Sequence, residues 1–451
     1  MQKESGQPES ASWHEIGEVL DMEMSSVEDV RFDLVKSDKG RVRQSIENCM
    51  TVFYRDSLLK GTIRKNELTG KIDIVGELSW KRSGTGLTDT DVYQIQRYLE
   101  NQYSLTNDKI IHKAMHIAAS ENSYHPIRDF LESLEWDGIN RIDYLLPKYL
   151  GAEESDYSRE VMRLLMLAAI HRVYEPGCKF EIMVCLVGGQ GAGKSTFFRL
   201  LAGKDEWFSD DLKRLDDDNV YRKMQGHWII EMSEMIATVN ARSIEDIKSF
   251  ISRQKETYKI PYETHPEDRP RQCVFVGTSN SMDFLPLDRT GNRRFAPVQV
   301  HPERVEKHIL EDEEEARAYI LQAWAEAMEL YRNSSHELKL SKATEEYLRE
   351  MQKQFMPEDT KVGIIQAWLD ATEEEYVCSM MIYREALRHD IEEPKQWEIR
   401  EINSIVNDSV TGWEPITSTH RFVNYGIQRG WRRKTDASGF SSLPEDAKTP
   451  F

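Results

Sequence analysis

A glycine-rich segment, GGQGAGKS at residues 188–195, carries the most specific chemistry in the sequence. It matches the pattern G-x-x-x-x-G-K-[ST], in which glycines allow backbone N–H groups to surround phosphate oxygens. The lysine reaches the β- and γ-phosphates, and the final hydroxyl holds Mg²⁺. The pattern therefore predicts a site for ATP and Mg²⁺, with Ser195 as a metal ligand. The predicted ATP-binding residues are Gly188, Gly189, Gln190, Gly191, Ala192, Gly193, Lys194, Ser195 and Thr196.

A phosphate loop needs an acid that helps to hold Mg²⁺ and orients the attacking water. The segment HWIIEMSE supplies Glu231 directly after an apolar run, with Glu234 three residues further on. We predict both as catalytic residues and Glu231 also as a metal ligand. The alternative is a strand end with exposed acids. The pattern does not decide which glutamate polarises the water.

Two further polar positions follow the acids. Asn280 ends the apolar run CVFVGTSN, where an amide can contact the γ-phosphate or the water without adding charge. Arg293 and Arg294 follow a Gly-Asn turn, and a guanidinium there can stabilise phosphoryl transfer from a neighbouring subunit. We predict these three residues as catalytic. The alternatives are a simple turn at Asn280 and a solvent-exposed arginine pair or salt bridge.

These residues need a scaffold that brings them to one place. Three apolar runs, at residues 181–187, 227–230 and 273–278, read as strands covered on both faces. Helical patterns separate them, which predicts an α/β domain with a largely parallel sheet. Residues 302–333 read as one long helix, with the acidic block EDEEE near its middle. Before the loop, LLKGTIRKNELTGKIDIV reads as two short strands around a turn.

Composition restricts the class of protein. The 451 residues include 59 Lys and Arg against 78 Asp and Glu, a formal net charge of −19, and 39% are hydrophobic. Packed cores are therefore expected, whereas a protein covered in basic residues is not. No apolar stretch is long enough for a membrane-spanning helix. The five cysteines include no CxxC pair, and the N-terminus resembles no secretory signal, so we expect a cytoplasmic protein.

Basic residues are nevertheless concentrated in two segments that could contact DNA. Between the acids and Asn280, cations alternate with aromatic residues, and C-terminally residues 420–434 hold five Arg and Lys and no acid. The second segment follows a helical pattern and reads as the wing of a winged-helix module. A packed hairpin and a subunit-packing module are the alternatives. The predicted DNA-binding residues are Arg253, Lys255, Tyr258, Lys259, Arg429, Arg432 and Arg433.

Several motifs in order resemble the virulence-associated protein E family, P-loop ATPases of phages and mobile genetic islands related to superfamily 3 helicases and AAA+ machines. The segments are HPIRDFLESLEWDGINRI, PGCKFEIMVCLVGGQGAGKSTFFRLL, HWIIEMSEM, EDRPRQCVFVGTSN and DRTGNRRFAPV. The resemblance implies a homo-oligomeric ring, expected to be a hexamer, that acts on single-stranded or forked DNA. It implies Lys194 and Ser195 as the loop pair, Glu231 and Glu234 as Walker B acids and Asn280 as sensor. Arg293 or Arg294 would be the finger. Superfamily 3 enzymes usually place two acids side by side, and this sequence does not.

The predicted organisation has six parts. They are an N-terminal α+β region (1–105), a helical region (106–180), a P-loop ATPase core (181–300), a helical extension (301–356), a winged-helix-like module (361–435) and a polar tail (436–451). No primase metal cluster is evident, so priming would depend on a separate primase. The predicted function is an ATP-driven DNA translocase or replicative helicase. The alternative is a nucleotide-gated initiator, loader or scaffold without unwinding activity.

Overall fold

The computed structural model describes residues 26–212, 215, 220–233, 241–258, 267–285, 292–305, 307–333, 337–389 and 392–434. The chain divides into two compact units between residues 356 and 357. This division falls at the polar segment MPEDT. In the described residues, no helix is long and apolar enough to cross a membrane.

The first unit begins with a helical lobe that contains a small hairpin. The helices are α1 (Val27–Asp33), α2 (Ile46–Arg55), α3 (Asp89–Tyr103) and α4 (Asp108–Glu121). Strands β1 (Ile63–Lys65) and β2 (Ile72–Ile74) pair antiparallel, which confirms the predicted strand pair. Helices α5 (Pro126–Glu132), α6 (Leu145–Leu150) and α7 (Asp156–Tyr174) follow. Pro126 occupies the first turn of α5, where its missing N–H leaves no hydrogen bond unmade.

The centre of the first unit is a five-stranded parallel sheet, which confirms the α/β class. Its strands are β3 (Met183–Val187), β4 (Phe208–Ser209), β5 (Ile229–Ser233), β8 (Val274–Ser279) and β9 (Phe295–Gln299), in the order β4-β5-β8-β3-β9. Helices α8 (Lys194–Leu201), α9 (Val220–Met224) and α10 (Ala241–Ile251) connect them. Strands β6 (Lys255–Tyr258) and β7 (Glu267–Pro270) form a separate antiparallel hairpin.

Alternate residues of β3 enter two different apolar clusters. Val184 and Leu186 pack on one face of the sheet, and Met183, Cys185 and Val187 pack on the other. Because both faces are covered, the strand needs an unbroken apolar sequence rather than an alternating one. This explains the continuous runs in the sequence.

Two more helices complete the first unit, α11 (Glu313–Asn333) and α12 (Lys342–Lys353). The prediction of one helix over residues 302–333 was wrong at its start, because a short 3₁₀ turn occupies Pro302–Arg304 and α11 begins at Glu313. Glu313, Glu314 and Glu315 therefore lie in the first turn, where the helix dipole favours negative charge.

The second unit combines helices with short strands. Its helices are α13 (Thr360–Ala371), α14 (Ser379–Met381), which continues into a π-turn, and α15 (Gln396–Asp408). Strands β10 (Tyr376–Val377), β11 (Trp413–Pro415) and β14 (Trp431–Arg433) form one sheet, and β12 (His420–Phe422) and β13 (Gly426–Gln428) form a hairpin. The unit has its own core, which contains Trp413, Phe422 and Trp431.

Candidate nucleotide site

The glycine-rich loop joins the end of β3 to the start of α8. Gly191 and Gly193 have φ angles of 80° and 78°, which side-chain-bearing residues rarely adopt. At Gly188, a Cβ atom would lie 2.6 Å from Val300 Cγ2 and 2.8 Å from its carbonyl oxygen. The glycines are therefore required by backbone conformation at two positions and by close packing at a third.

Lys194 is buried at the centre of this loop. Its ammonium group donates to the carbonyl oxygens of Gly188 at 2.7 Å and Gly189 at 2.8 Å, and to Asn280 Oδ1 at 3.0 Å. Asn280 directly follows β8, the neighbour of β3 in the sheet. The structure thus joins the predicted loop lysine and the predicted sensor in one hydrogen-bonded group.

Ser195 and Glu231 meet beneath the loop. The Ser195 hydroxyl donates to Glu231 Oε1 at 2.8 Å, and the Thr278 hydroxyl donates to the same oxygen at 2.5 Å. Glu231 is 0% exposed, and its other oxygen, Oε2, has no hydrogen-bond partner among the residues that the structure describes. Burial raises the pKa of the Glu231 carboxyl above its ordinary value, while the two hydroxyls oppose that shift. An unpaired buried carboxylate oxygen is costly unless a cation or a donor compensates it.

These residues surround a cleft of about 380 Å³. Its lining residues are Gln190, Gly191, Ala192, Gly193, Lys194, Ser195, Thr196, Ser233, Thr278, Ser279, Asn280 and Leu310. Glu231 lies directly behind the Ser195 and Thr278 hydroxyls, within β5 rather than after it, because β5 continues to Ser233. Glu234 lies outside the described residues.

The residues of the cleft fit a Mg²⁺ ion that takes most of its ligands from nucleotide phosphates and water and only a few from the protein. Among the described residues, no group of three or more His, Cys, Asp or Glu could hold a metal ion. The cleft offers the Ser195 hydroxyl and, behind it, the unpaired oxygen of Glu231. Mg²⁺ usually keeps several waters and takes few protein ligands together with phosphate oxygens. This donor set matches that preference.

Sequence reasoning missed Thr278, His308 and Leu310. Thr278 shares the Glu231 oxygen. His308 Nδ1 accepts from the Leu310 N–H at 3.2 Å, so Nε2 carries the proton that bonds to the Gly191 carbonyl oxygen at 3.1 Å. Leu310 lines the cleft and is 58% exposed. His308 and Leu310 come from the segment before α11, which no phosphate-loop pattern includes.

Arg293 and Arg294 lie at the amino ends of the parallel strands, whereas the loop follows the carboxyl end of β3. They occupy a 3₁₀ turn before β9, which runs parallel to β3 with Phe295 opposite Met183. Arg294 donates to Ser252 Oγ at 2.9 Å and lies 3.5 Å from Glu181 Oε2. Arg293 lies 3.3 Å from Glu181 Oε1, and its side chain is 66% exposed. The structure does not bring either arginine to the cleft of its own chain.

Of the predicted DNA-contacting residues of the first unit, Lys255 and Tyr258 lie on the β6–β7 hairpin and Arg253 lies just before it. Arg253 donates to the Tyr221 hydroxyl at 2.7 Å, and Lys255 forms an ion pair with Asp268 across the hairpin. The backbone of Tyr258 pairs with Glu267, and Lys259 lies outside the described residues. The hairpin is anchored by Arg271, which forms a buried ion pair with Glu256.

The basic segment of the second unit is divided between structural and exposed residues. The Arg433 guanidinium donates to the carbonyl oxygens of Leu369 at 3.2 Å and Thr372 at 2.5 Å and lies over the Trp413 ring. Arg432 forms an ion pair with Glu414 at 2.5 Å. Arg429 is exposed beside the β12–β13 hairpin. Arg429 and Arg432 are therefore both exposed, and the charge of Arg432 is compensated by Glu414.

Comparison with known families gives a match over the region that contains the loop. Residues 131–357, half of the chain, match the virulence-associated protein E-like domain. The chain belongs to the virulence-associated protein E-like family. In this family member, the matched region contains the loop, Glu231, Asn280 and both arginines, and it ends at the boundary between the two units.

Comparison with curated proteins gives no match. Solved structures of the NrS-1 C-terminal region are similar at low identity. One A-form apo structure of residues 305–718 is 16% identical with a TM-score of 0.39, covering 78% of this chain and 84% of that one. Another apo structure of the same residues is 14% identical with a TM-score of 0.41, covering 82% and 96%. This similarity is too distant to assign a function.

Proposed function

We propose that this chain is an ATP-hydrolysing, oligomeric DNA translocase that serves as the replicative helicase of a phage or mobile genetic element. The observation that carries the proposal is the pairing of Ser195 with the buried Glu231. The P-loop hydroxyl bonds to an acid on β5, two strands from β3, and one oxygen of that acid has no hydrogen-bond partner among the described residues. A Mg²⁺-nucleotide site requires such a hydroxyl and acid close together.

In this proposal the predicted binding and catalytic residues have the following tasks. The loop N–H groups and Lys194 bind the phosphates, and the positive end of α8 favours the same anion. Ser195 and Glu231 hold Mg²⁺, which neutralises charge on the phosphate oxygens when bound. The Asn280 amide, already bonded to Lys194, orients the γ-phosphate or the attacking water. Glu234 remains a candidate for polarising that water.

The position of the arginines supports catalysis between subunits. Arg293 and Arg294 cannot reach the phosphates of their own cleft, because they lie at the other edge of the sheet. A head-to-tail interface brings one edge of a subunit against the opposite edge of the next, and such interfaces close into rings. We therefore propose a ring, hexameric by family resemblance, with an AAA+-like core and ATP bound between subunits.

DNA contact is assigned to two hairpins. The β6–β7 hairpin carries Lys255 and adjoins Arg253, and it would move along single-stranded DNA as ATP is hydrolysed. In the second unit, a helix followed by the β12–β13 hairpin supports a winged-helix-like module whose exposed Arg429 contacts the DNA backbone. A separate primase would supply primers, and the bacterial cytoplasm would be the site of action.

The experiment compares ATP turnover of Lys194→Ala with that of the matched control Lys204→Ala, whose side chain is exposed and paired with Glu206. Loss of the loop ammonium should reduce turnover at least about 100-fold, because charge stabilisation at the transferring phosphate is lost. The control should turn over ATP normally. Full activity in Lys194→Ala contradicts the proposal.

A strand-displacement assay on forked DNA then separates the helicase from its alternative. The helicase proposal expects ATP-dependent displacement that Lys194→Ala abolishes. Turnover and DNA binding without displacement would instead identify a nucleotide-gated initiator, loader or scaffold, the function that the exposed cation of the wing favours.

A further inference from the structure

A short hairpin in the helical lobe of the first unit concentrates positive charge at the surface. Residues 35–43, the basic hairpin, have the sequence VKSDKGRVR, which contains four cations and one acid. The whole chain, by contrast, has a net charge of −19. All four cations are exposed, namely Lys36, Lys39, Arg41 and Arg43.

The backbone of the basic hairpin is held by its own hydrogen bonds. Lys36 and Val42 form an antiparallel bridge, and the Ser37 N–H donates to the Arg41 carbonyl oxygen at 2.8 Å. Gly40 completes the turn with a φ angle of 73°, which side-chain-bearing residues rarely adopt. An ordered turn therefore presents the cations at the tip.

The base of the basic hairpin is anchored to α2 by Asn48, which is 1% exposed. Asn48 Oδ1 accepts from the Val35 N–H at 2.9 Å. Its Nδ2 group donates to the carbonyl oxygens of Val35 at 2.9 Å and Arg43 at 2.8 Å. One buried amide thus fixes both strands of the hairpin, so the exposed cations occupy a defined place on the surface.

The side chains of these four cations form no ion pair and no hydrogen bond within the part of the chain that the structure describes. Cations of the other predicted DNA-contacting segments do, since Lys255 pairs with Asp268 and Arg432 pairs with Glu414. Asp and Glu outnumber Lys and Arg by 78 to 59 in the chain, yet none of these acids compensates the basic hairpin from across the fold. Its charge is therefore available to an anion from outside the chain.

Arg41 and Arg43 lie on one face of their strand, because residues two apart in a strand point to the same side. Val42, between them, packs against the apolar core of the lobe, so both guanidinium groups face solvent. A guanidinium binds phosphate oxygens through two parallel N–H donors, which gives a more specific contact than an ammonium group. The pair of arginines is therefore suited to phosphate.

The composition of the basic hairpin favours nucleic acid over a protein partner. The centres of protein interfaces are depleted in charged residues, lysine among them. Interfaces with nucleic acid are more polar and much more positively charged. Residues 37–40 at the tip are polar residues and a glycine, all exposed, and they offer no apolar surface to a protein.

We propose that the basic hairpin is a DNA-binding surface in which Arg41 and Arg43 hold the phosphate backbone and Lys36 and Lys39 add positive charge. Such contacts are independent of base sequence, because phosphates carry no sequence information. The inference rests on the proposed action on DNA and adds a third contact surface to the β6–β7 hairpin and the wing. Four phosphate contacts still give weak, salt-sensitive binding by one chain, and assembly multiplies them.

The test measures the affinity of the full chain for forked DNA, without nucleotide, over a range of salt concentrations. The logarithm of the binding constant falls linearly with the logarithm of salt concentration, with a slope of about 0.7–0.9 per phosphate contact. The double variant Arg41→Gln/Arg43→Gln should therefore make the slope shallower by at least roughly 1.4. Lys36→Gln/Lys39→Gln is an independent variant that should also make the slope shallower.

Arg97→Gln/Arg349→Gln is the matched control. These arginines are exposed on α3 and α12 and, like those of the basic hairpin, form no ion pair among the described residues. The control removes the same charge from the chain and should leave the slope unchanged. An unchanged slope in both hairpin variants, or an equal change in the control, overturns the inference. A normal slope together with lost assembly, seen by mass measurement, overturns it as well, because the cations would then contact another copy of the chain.

ATP turnover separates this inference from the proposed function. Both hairpin variants should hydrolyse ATP at the wild-type rate in the absence of DNA, because they change no residue of the nucleotide cleft. Lys194→Ala should lose turnover and keep the wild-type salt slope of DNA binding. Full turnover in Lys194→Ala refutes the nucleotide function, whereas an unchanged slope in the hairpin variants refutes only the DNA-binding role of the basic hairpin.

Discussion

The two arginines before β9 offer the sharpest test of catalysis between subunits. Arg294 is held within its own chain by Ser252 and Glu181, and its side chain is 20% exposed. The Arg293 side chain is 66% exposed and lies 3.3 Å from Glu181 Oε1. We therefore expect Arg293 to be the finger that enters the neighbouring cleft and Arg294 to position the turn.

The register of the sheet gives the distance between the arginines and the phosphate loop. Arg294 is level with residue 182 of the neighbouring strand, and the loop starts at Gly188, six residues further along. At about 3.3 Å per residue, the arginines lie about 20 Å from the loop along the strand direction. No side chain spans that distance, so a direct contact of Arg293 with the transferred phosphate is possible only in trans. Loss of such a finger lowers kcat by about 10³–10⁵-fold while nucleotide binding is retained.

Mixing subunits provides the assay. Arg293→Ala has an intact loop, and Lys194→Ala has an intact arginine, so each alone should be inactive. In an equal mixture, about a quarter of head-to-tail interfaces combine an intact loop with an intact arginine. ATP turnover should then recover to roughly that fraction of wild type. No gain over the separate variants would refute the shared-site reasoning.

The control separates catalysis from local stability. Glu181→Gln removes the carboxylate that both arginines contact, while it leaves both guanidinium groups in place. If the arginines act only as an ion pair that stabilises the turn, Glu181→Gln should lose as much turnover as Arg293→Ala. Near-normal turnover in Glu181→Gln, with loss in Arg293→Ala, supports the finger.

The remaining predictions concern the buried acid and the wing. Glu231→Gln should keep ATP binding and lose at least about 100-fold in turnover, measured by phosphate release. Because burial raises the Glu231 pKa, ionising it opposes folding above its ordinary pKa of 4.5. Glu231→Gln should therefore raise the thermal midpoint at pH 7, by roughly 2–4 °C for each kcal/mol recovered, and the gain should vanish as the pH falls to 4.5. Arg429→Ala should reduce the salt dependence of DNA binding by about one counterion, whereas Arg433→Ala should instead lower the thermal midpoint of the C-terminal unit. If Arg433→Ala changed the salt dependence of DNA binding and Arg429→Ala lowered the thermal midpoint, the assignment of the wing would be wrong.

The parts of the site that come from one continuous segment could be predicted from the local sequence. The run MVCLV, the loop and the helix from Lys194 form a continuous strand, turn and helix, so their sequence pattern predicts their geometry directly. Glu231 and Asn280 were also predictable, because carboxyl ends of adjacent parallel strands meet at one edge. The sequence alone does not show which hydroxyl groups bond to Glu231. Thr278, one of the two, is 47 residues away from Glu231 along the chain.

Long-range contacts explain what was missed. His308 bonds to Gly191 across 117 residues, and only the folding of the segment before α11 brings them together. The start of α11 was also misplaced, because helical periodicity continued through residues that the structure uses to cover the loop. A pattern of apolar residues indicates which face of a helix is buried. It does not show the tertiary contacts that delay the start of the helix to Glu313.

The net charge of −19 and the positions of the cations together predict weak DNA binding by a single chain. Lys255 pairs with Asp268, Arg432 pairs with Glu414 and Arg433 donates to carbonyl oxygens, so most predicted DNA contacts are already compensated within the chain. Arg429 remains exposed, and one or two phosphate contacts give only weak, salt-sensitive affinity. Repeating the same contacts around a ring raises the effective concentration of each later contact. We therefore expect useful DNA affinity to appear only with assembly, and a single chain that binds DNA as tightly as the oligomer would contradict this reasoning.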